Sequence, residues 1–212
     1  MCIRDSDKPI VIAPAMNTKM YENPATVENI NVLKERGHIL VSPNEGVLAC
    51  GEEGAGKLAD LEDVVLAIKY AVYPKILKGK KVLITAGGTR EYFDPIRYIS
   101  NASSGQMGYL LAEVAYCMGA DVTLISAPTC LKLPSQIKKI DVVSALEMFE
   151  KIRDIYKDFD VIIMNAAVAD FRPQHYSGQK LKKDKENMTV KLEPNPDILK
   201  FLGENKKENQ IL

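Results

Sequence analysis

Residues 80–107 read KKVLITAGGTREYFDPIRYISNASSGQM, and this stretch constrains the fold more than any other. Val82, Leu83 and Ile84 form a short apolar run, which is typical of a strand covered on both faces of a sheet. Gly87 and Gly88 follow directly, where the first turn of a doubly wound sheet brings its backbone close to a ligand. Polar residues then accumulate, namely Thr89, Arg90, Asp94, Arg97, Asn101, Ser103 and Ser104. An ordinary polar loop is the alternative, but so many hydrogen-bonding groups at a strand end favour a bound ligand.

Strands and helices alternate along the rest of the sequence. The segments with strand-like patterns are 9–13, 38–41, 121–126, 137–143, 159–165 and 188–193. The segments with helical periodicity or start signals are 24–36, 61–73, 103–118, 145–156 and the residues from 195 onward, while 172–187 is expected to form a mobile loop. This alternation predicts an α/β fold with two parallel-sheet units, whose ligands bind at the carboxyl ends of strands.

The domain organisation follows from the same pattern. We interpret 75–80 as a linker between a first unit at 7–74 and a second unit at 81–212. The opening letters MCIRDS, residues 1–6, resemble translated sequencing-adapter read-through and are left out of fold reasoning.

Charge and cysteine usage narrow the function classes. Lys plus Arg and Asp plus Glu balance at 28 each, so no overall field favours nucleic acid or an anionic membrane. No apolar run approaches the roughly 20 residues of a membrane span. The 4 cysteines are scattered without metal-like spacing, which favours free thiols in a reducing cytoplasm. With only 2 histidines, a histidine-based metal site or triad is hard to build.

Two candidate constellations lie in the first unit. Asn17 ends the run Pro-Ala-Met-Asn after the first strand, where its amide can both donate to and accept from a carboxylate. A helix cap before Pro24 is the alternative. Residues 48–57 (LACGEEGAGK) carry glycines that forbid a regular helix and suggest a flap over a ligand. Cys50 at its root suits a proton donor or nucleophile, although a lone cysteine is more often inert core.

A third constellation lies in the second unit. It joins the glycine turn at 87–88, the strand end at 165–170, Lys180 and the helix start at 195–197. A helix start offers free backbone N–H groups for an anion, and a loop lysine can neutralise phosphates. A solvated lysine face is the default alternative for Lys180 and its neighbours. The sequence has no GxxxxGK[ST] motif, so a nucleotide would be held in another way.

Several motifs together resemble known enzyme families. The motif PAMN followed by ACGEEGAGK resembles the phosphopantothenoylcysteine decarboxylases, which are flavoproteins. The motifs ITAGGTRE, RYISNASSGQMG, NAAVADFRP, KLKK and NPDIL resemble the phosphopantothenate–cysteine ligases. Both sets in this order are similar to the bifunctional proteins of bacterial coenzyme A biosynthesis, over nearly everything after Ser6. The resemblance implies part of a flavodoxin-like decarboxylase domain followed by part of a Rossmann-like ligase domain.

The decarboxylase resemblance implies that FMN oxidises the substrate's cysteine thiol to a thioaldehyde. The adjacent carboxylate then leaves as carbon dioxide, and the flavin reduces the resulting ene-thiol. By motif, Met16, Asn17 and Met20 contact the substrate, with Asn17 also catalytic, and Cys50 donates a proton.

The ligase resemblance implies that the carboxylate of 4′-phosphopantothenate attacks the α-phosphate of CTP, with Mg2+ required. Cysteine's amine then displaces CMP from the acyl-cytidylate. By motif, Arg97 and Asn101 handle the acyl-cytidylate and Lys180 is catalytic. The residues assigned to CTP are Gly87, Gly88, Met164, Asn165, Ala166, Asp170, Lys180, Asn195, Pro196, Asp197 and Ile198.

The sequence departs from the family patterns in places. Tyr21 stands where Trp is usual, Lys57 where Arg is common, and Ala102 where the ligases carry Arg. The flavin-binding part of the decarboxylase is expected before Lys8 and a further part of the ligase after Leu212. We therefore expect this chain alone to bind CTP weakly and to carry no flavin. The resemblance also implies a cytoplasmic homo-oligomer that acts on 4′-phosphopantothenate, cysteine and CTP, without nucleic acid or membrane.

Two other classes fit some of the same motifs. A short-chain NAD(P)-dependent oxidoreductase would use VLITAGGT as its first turn and Tyr176 with Lys180 as its catalytic pair. No glycine follows Gly88 before Gly105, however, and Tyr176 lies too few residues after the NAA motif. A non-catalytic regulatory flavoprotein subunit is the other alternative, which the complete pair of motif sets, Cys50 included, disfavours.

Overall fold

The computed structural model describes residues 7–48, 51–182 and 188–212. The chain divides into two compact units, Met1–Pro74 and Lys75–Leu212, so the division falls at the start of the interpreted linker. Within the described ranges, every helix is too short or too polar to cross a membrane.

The first unit combines a parallel strand pair, an antiparallel hairpin and helices. β1 (Val11–Ile12) pairs in parallel with β2 (Ile39–Leu40), and β3 (Asn44–Val47) pairs antiparallel with β4 (Glu53–Lys57). The helices are α1 (Thr18–Tyr21), α2 (Pro24–Glu35) and α3 (Leu61–Val72). The helices predicted at 24–36 and 61–73 are therefore confirmed. The strand predicted at 9–13 is wrong in length, because only two of its residues pair with β2.

The second unit is built on a four-stranded parallel sheet. In spatial order its strands are β10 (Val161–Ile163), β5 (Lys81–Ala86), β8 (Asp121–Ser126) and β9 (Lys138–Asp141). Alternate side chains of β5 pack into two hydrophobic clusters, one on each face of the sheet, because successive side chains of a strand point to opposite faces. Val82 and Ile84 pack with α4 (Gln106–Cys117), whereas Leu83 packs with α5 (Ala145–Ile155).

This strand order reverses between β5 and β10, because the chain leaves β5 towards β8 and later returns to the other side of β5. The predicted α/β class and parallel sheet are confirmed. Ile211 also forms an isolated parallel bridge with Val161. In open α/β sheets such a reversal point carries a crevice at the carboxyl ends of the strands.

Two short antiparallel strand pairs complete the second unit. β6 (Arg90–Tyr92) pairs with β7 (Tyr98–Ser100), β11 (Phe171–Pro173) pairs with β12 (Leu192–Pro194), and α6 (Ile198–Asn205) follows. The segment at 89–104, expected as a polar loop, is thus largely a hairpin. The strand predicted at 188–193 is wrong in its bounds, since the paired residues are 192–194.

Helix α4 begins later than the predicted position 103. Gly105 precedes the helix with φ +78°, a left-handed conformation that favours glycine. The hydroxyl oxygens of Ser103 and Ser104 accept from the backbone N–H groups of Gly105 and Gln106. These short side-chain bonds compete with helix hydrogen bonding, so the serines form the turn before the helix.

Candidate functional site

A cleft of about 320 Å³ opens where β10 ends. Its lining comes from two segments, and the residues are Met164, Ala166, Val168, Ala169, Asp170, Asn195, Pro196, Asp197, Ile198 and Leu199. The structure thus brings together seven of the residues assigned to CTP by motif: Met164, Ala166, Asp170 and 195–198. The cleft volume lies in the range of small-ligand sites.

Buried threonines hold the first wall of the cleft. Oγ1 of Thr85, the fifth residue of β5, accepts from the backbone N–H groups of Asn165 and Ala166, both at 3.0 Å. Oγ1 of Thr89 accepts from the backbone N–H of Ala169 at 2.9 Å. Both threonine side chains are fully buried. The backbone of residues 165–169, which follows β10, is therefore held in place by threonine side chains of β5 and of the turn after it.

Gly87 and Gly88 also contact the backbone of this wall. The carbonyl of Gly87 accepts from the N–H of Ala167 at 2.8 Å, and Gly88 forms a parallel bridge with Ala167. A Cβ at Gly88 would stand 2.7 Å from the carbonyl oxygen of Asn101, so only glycine fits this close approach. Neither glycine belongs to the cleft lining, and direct contact between the pair and a nucleotide stays a prediction.

Asn101 reaches the wall from the end of β7. Its Nδ2 donates to the carbonyl of Val168 at 3.0 Å, and the carbonyl of Ala167 lies 3.5 Å away. The asparagine therefore links the β6–β7 hairpin to the cleft wall. Its assignment to the acyl-cytidylate stays a prediction. The assignment of Asn165 to CTP also stays a prediction, since Asn165 is outside the lining.

The second wall is fixed by Asn195. Its backbone N–H donates to the carbonyl of Asp170 at 2.7 Å, and its Nδ2 donates to the carbonyl of Ala169 at 2.8 Å. Its Oδ1 accepts from Nη1 of Arg172 at 3.0 Å, while Arg172 also pairs with Glu193 at 2.7 Å. This network joins the two walls at the start of α6.

The electrostatics of the cleft combine a helix start with two carboxylates. The N-terminus of α6 favours an anion, but Asp197 caps it by accepting from the N–H of Lys200 at 2.9 Å. Asp170 adds a second acid to the lining. A bare triphosphate would be repelled by both, whereas Mg2+ is commonly bound by one or two carboxylates plus substrate phosphates and waters. The donor set therefore fits a magnesium–nucleotide, and the described residues contain no group of three or more His, Cys, Asp and Glu side chains that would hold a metal alone.

Lys180 and Arg97 occupy a separate position beside the β6–β7 hairpin. The Arg97 guanidinium pairs with the buried carboxylate of Asp94 and donates to the carbonyl of Leu181, the neighbour of Lys180. Lys180 itself is exposed and outside the cleft lining. The structure therefore assigns Arg97 a contact within the chain that the motif interpretation did not include.

A second cleft, of about 530 Å³, lies within the first unit. It is lined by Ala15, Met16, Asn17, Val47, Leu48, Gly56, Lys57 and Leu58. The N–H of Met16 donates to the carbonyl of Gly56 at 2.9 Å, which fixes β4 against the Pro-Ala-Met-Asn turn. Residues 53–57 of the glycine-rich segment thus form a strand in contact with that turn.

Asn17 lines this cleft and also caps α1, because its Oδ1 accepts from the N–H of Met20 at 3.1 Å. The cap before Pro24 is Asn23 instead. Met20 is largely exposed and outside the lining, and Cys50 lies outside the described residues. The mostly apolar wall with one amide and the Lys57 cation fits the edge of a planar, phosphorylated group such as FMN.

Several supporting residues were not singled out from the sequence. Thr85 lies within an apolar strand pattern, and Arg172 and Glu193 are far apart in sequence. Thr89 and Asp94 were noted only as members of the polar segment. A buried polar residue with distant partners leaves no local signal in a single sequence, so contacts such as these need the tertiary structure.

Comparison with known proteins gives matches over both units. The family described as the DNA/pantothenate metabolism flavoprotein C-terminal domain matches residues 77–212, and the flavoprotein family matches residues 2–72. The coenzyme A biosynthesis bifunctional protein CoaBC of Bacillus subtilis is 48% identical over 96% of this chain and 51% of its own length. The protein of the same description from Vibrio parahaemolyticus is 46% identical over 92% of this chain and 49% of its own length. The chain thus spans about half the length of these curated relatives.

A solved structure is also similar. The crystal structure of the C-terminal domain of a coenzyme A biosynthesis bifunctional protein CoaBC shares 44% sequence identity and a TM-score of 0.56. The match covers 64% of this chain and 63% of that chain.

Proposed function

The chain belongs to the DNA/pantothenate metabolism flavoprotein family, and from that premise we propose that it serves coenzyme A biosynthesis through two activities. Its second unit is proposed as part of a ligase that joins 4′-phosphopantothenate to cysteine at the expense of CTP. Its first unit is proposed as part of an FMN-dependent decarboxylase that converts the product to 4′-phosphopantetheine. The observation that supports the ligase proposal most is the cleft in which residues 164–170 and 195–198 meet.

The proposed ligase reaction has two steps. A carboxylate oxygen of 4′-phosphopantothenate forms a bond to the α-phosphorus of CTP, and pyrophosphate leaves. The amine nitrogen of cysteine then attacks the acyl carbon, loses a proton and displaces CMP, which leaves an amide. The barrier in both steps falls when negative charge on the phosphates is neutralised and the reactants are held together.

The described residues suit these tasks. The two walls of the cleft bind the nucleotide, and Asp170 and Asp197 supply oxygen ligands for its magnesium ion. Lys180 neutralises phosphate charge from the neighbouring loop. Asn101, anchored on the wall at Val168, orients the acyl group beside the nucleotide. Gly87 and Gly88 allow the backbone of the turn to approach the same region.

The proposed decarboxylase site is the cleft of the first unit. When bound, FMN takes up and returns the electrons that make loss of the carboxylate possible. Asn17 orients that carboxylate through its side-chain amide, and Met16 lies beside it in the apolar wall. Cys50 is proposed as the proton donor.

CTP should stabilise the chain against heat, and NADPH should not. At 100 times its Kd, a ligand that binds only the folded state raises the free energy of unfolding by about 2.7 kcal/mol. We expect the rise in Tm to grow with CTP concentration in the presence of Mg2+. Lys180→Ala should reduce this rise. Lys207→Ala, which removes a lysine at the amino end of the sheet, should leave the CTP-dependent part unchanged.

The same thermal measurement separates the competing classes. A rise with NADPH and none with CTP would contradict the ligase proposal and favour a nicotinamide-dependent oxidoreductase. An equal loss of the CTP effect in Lys180→Ala and Lys207→Ala would contradict the role assigned to Lys180.

A further inference from the structure

The carboxyl group of Asp94 is fully buried, yet it lies in a turn between two short strands. Its Oδ1 accepts from the backbone N–H groups of Ile96 and Arg97, at 2.9 and 2.7 Å. These bonds close the β6–β7 turn, as aspartate side chains commonly do in turns. They account for one of the two carboxylate oxygens.

The second oxygen has a different set of partners. Oδ2 accepts from Nε and Nη2 of Arg97, at 2.8 and 2.6 Å, and from the backbone N–H of Leu181 at 3.3 Å. Nη2 of Arg97 also donates to the carbonyl of Leu181 at 2.8 Å. The Asp94–Arg97 pair therefore binds both backbone polar groups of a residue more than eighty positions further along the chain.

A third contact fixes the same segment. The backbone N–H of Ser177 donates to the carbonyl of Phe93 at 2.9 Å. Lys180 stands between the two attachment points, at Ser177 and Leu181, and directly beside the second. Its backbone is thus held at a defined position against the hairpin that also carries Asn101.

The ionisation state of Asp94 favours this arrangement. Burial by itself raises the pKa of the carboxyl group, but the hydrogen bonds from Arg97, Ile96 and Leu181 outweigh burial and hold the pKa below its usual value. The carboxylate is therefore charged at neutral pH. A charged acceptor strengthens each of these hydrogen bonds.

We propose that Asp94 and Arg97 form a clamp on Leu181 that positions Lys180 for the nucleotide. Asp94 is a positioning residue, since it acts through Lys180 and touches no substrate. The inference rests on the proposed CTP-dependent function, because that function gives Lys180 its ligand. In this proposal Arg97 holds Leu181, in addition to the contact with the acyl-cytidylate that its motif implies.

The test is a double-mutant cycle on CTP binding by the whole chain. Asp94→Asn keeps the size of the side chain but removes its charge. The new NH2 group would face the N–H donors of Arg97 and Leu181 or those of the turn. We expect Asp94→Asn to raise the Kd for magnesium–CTP roughly tenfold when Lys180 is present. In the Lys180→Ala background it should cause almost no further change, because the effect passes through the lysine.

Asp160→Asn is the matched control. Its carboxylate also accepts a backbone N–H from a distant residue, Lys81, at 2.8 Å, but it lies at the amino end of β5. We expect an unchanged Kd for CTP with and without Lys180. Hydrogen exchange at the backbone amide of Leu181 can be measured in the absence of nucleotide. The exchange rate should increase in Asp94→Asn and stay unchanged in Asp160→Asn.

Arg97→Lys is the second variant and keeps the test valid if Asp94→Asn does not fold. Lysine retains the charge beside Asp94 but lacks the planar group that reaches both Asp94 and the Leu181 carbonyl. The expected result is again a weaker CTP affinity that disappears in the Lys180→Ala background.

The outcomes separate the two proposals. If the unmodified chain binds CTP and Asp94→Asn binds it equally well, the clamp proposal is overturned while the function stands. The clamp is equally overturned if Asp94→Asn weakens CTP binding by the same factor with and without Lys180. If the unmodified chain does not bind magnesium–CTP at all, the proposed function fails and the clamp proposal fails with it.

Discussion

Replacing Gly108 with alanine should lower the free energy of unfolding by about 3 kcal/mol, although alanine is the better helix former. Gly108 lies on the face of α4 that contacts β5. A Cβ at this position would stand 2.6 Å from the Cβ of Ala86 and 2.9 Å from the carbonyl oxygen of Thr85. Both atoms belong to the central strand, which is paired on both sides, so neither can move without disturbing the sheet. Denaturant unfolding of the chain measures the change.

Gly203→Ala is the matched control, because Gly203 also lies within a helix, α6. A Cβ there would meet no atom within 4 Å. We expect this variant to gain up to about 1 kcal/mol from helix propensity alone. If the two variants change stability in the same direction and by similar amounts, close packing of α4 on β5 is not the reason for glycine at position 108.

Thr85→Val should cost about 2 to 4 kcal/mol of stability, although valine has nearly the same shape and a high preference for strands. The substitution removes the acceptor for two backbone N–H groups, those of Asn165 and Ala166. Each donor left without a partner in a buried place costs about 1 to 3 kcal/mol. Because these groups begin the cleft wall, CTP affinity should fall as well. Denaturant unfolding and a CTP titration measure the two effects.

Thr123→Val tests whether the loss comes from hydrogen bonding. Thr123 is a buried threonine on β8, the strand next to β5, and the N–H groups of Asn165 and Ala166 donate to Thr85 rather than to it. Valine there should leave stability unchanged or raise it slightly, and CTP affinity should not change. Similar losses in Thr85→Val and Thr123→Val would contradict the assigned role of the Thr85 hydroxyl.

Much of this fold can be predicted from the sequence, because short runs of apolar residues mark the sheet strands. The run at 82–84 is continuously apolar because both faces of β5 are covered, and the parallel pairing follows from that. The helix predicted at 24–36 has its own start signals in Asn23 and Pro24, which the structure uses. The family resemblance drawn from the motifs is confirmed by the match at 77–212.

The β6–β7 hairpin could not be predicted in the same way. Its turn is closed by Asp94, whose remaining partners include Leu181, and Glu91 is buried where it accepts from the N–H of Ala145 at the start of α5. A buried glutamate and a buried aspartate look like surface residues in a single sequence. Their burial depends on partners supplied by distant segments.

Some residues of the candidate site can be predicted from local sequence patterns, and others cannot. The motif residues Met164, Ala166, Asp170 and 195–198 line one cleft because they follow a sheet strand and begin a helix, positions that the patterns indicate. Gly87 and Gly88 contact that cleft's wall through Ala167, whereas the segment that carries Lys180 is held at Asp94 through Leu181. No local pattern carries that information.

The most direct measurement is the set of backbone amide NMR shifts of the 15N-labelled chain on titration with magnesium–CTP. We expect the largest saturable changes at 164–170 and 197–199, with smaller changes at 180–181. The amides of Lys157, Lys207 and Gln210, around a cleft at the amino end of the sheet, should not shift. Saturable changes at that opposite end, or none in the cleft at the end of β10, would contradict the assignment of this cleft to the nucleotide.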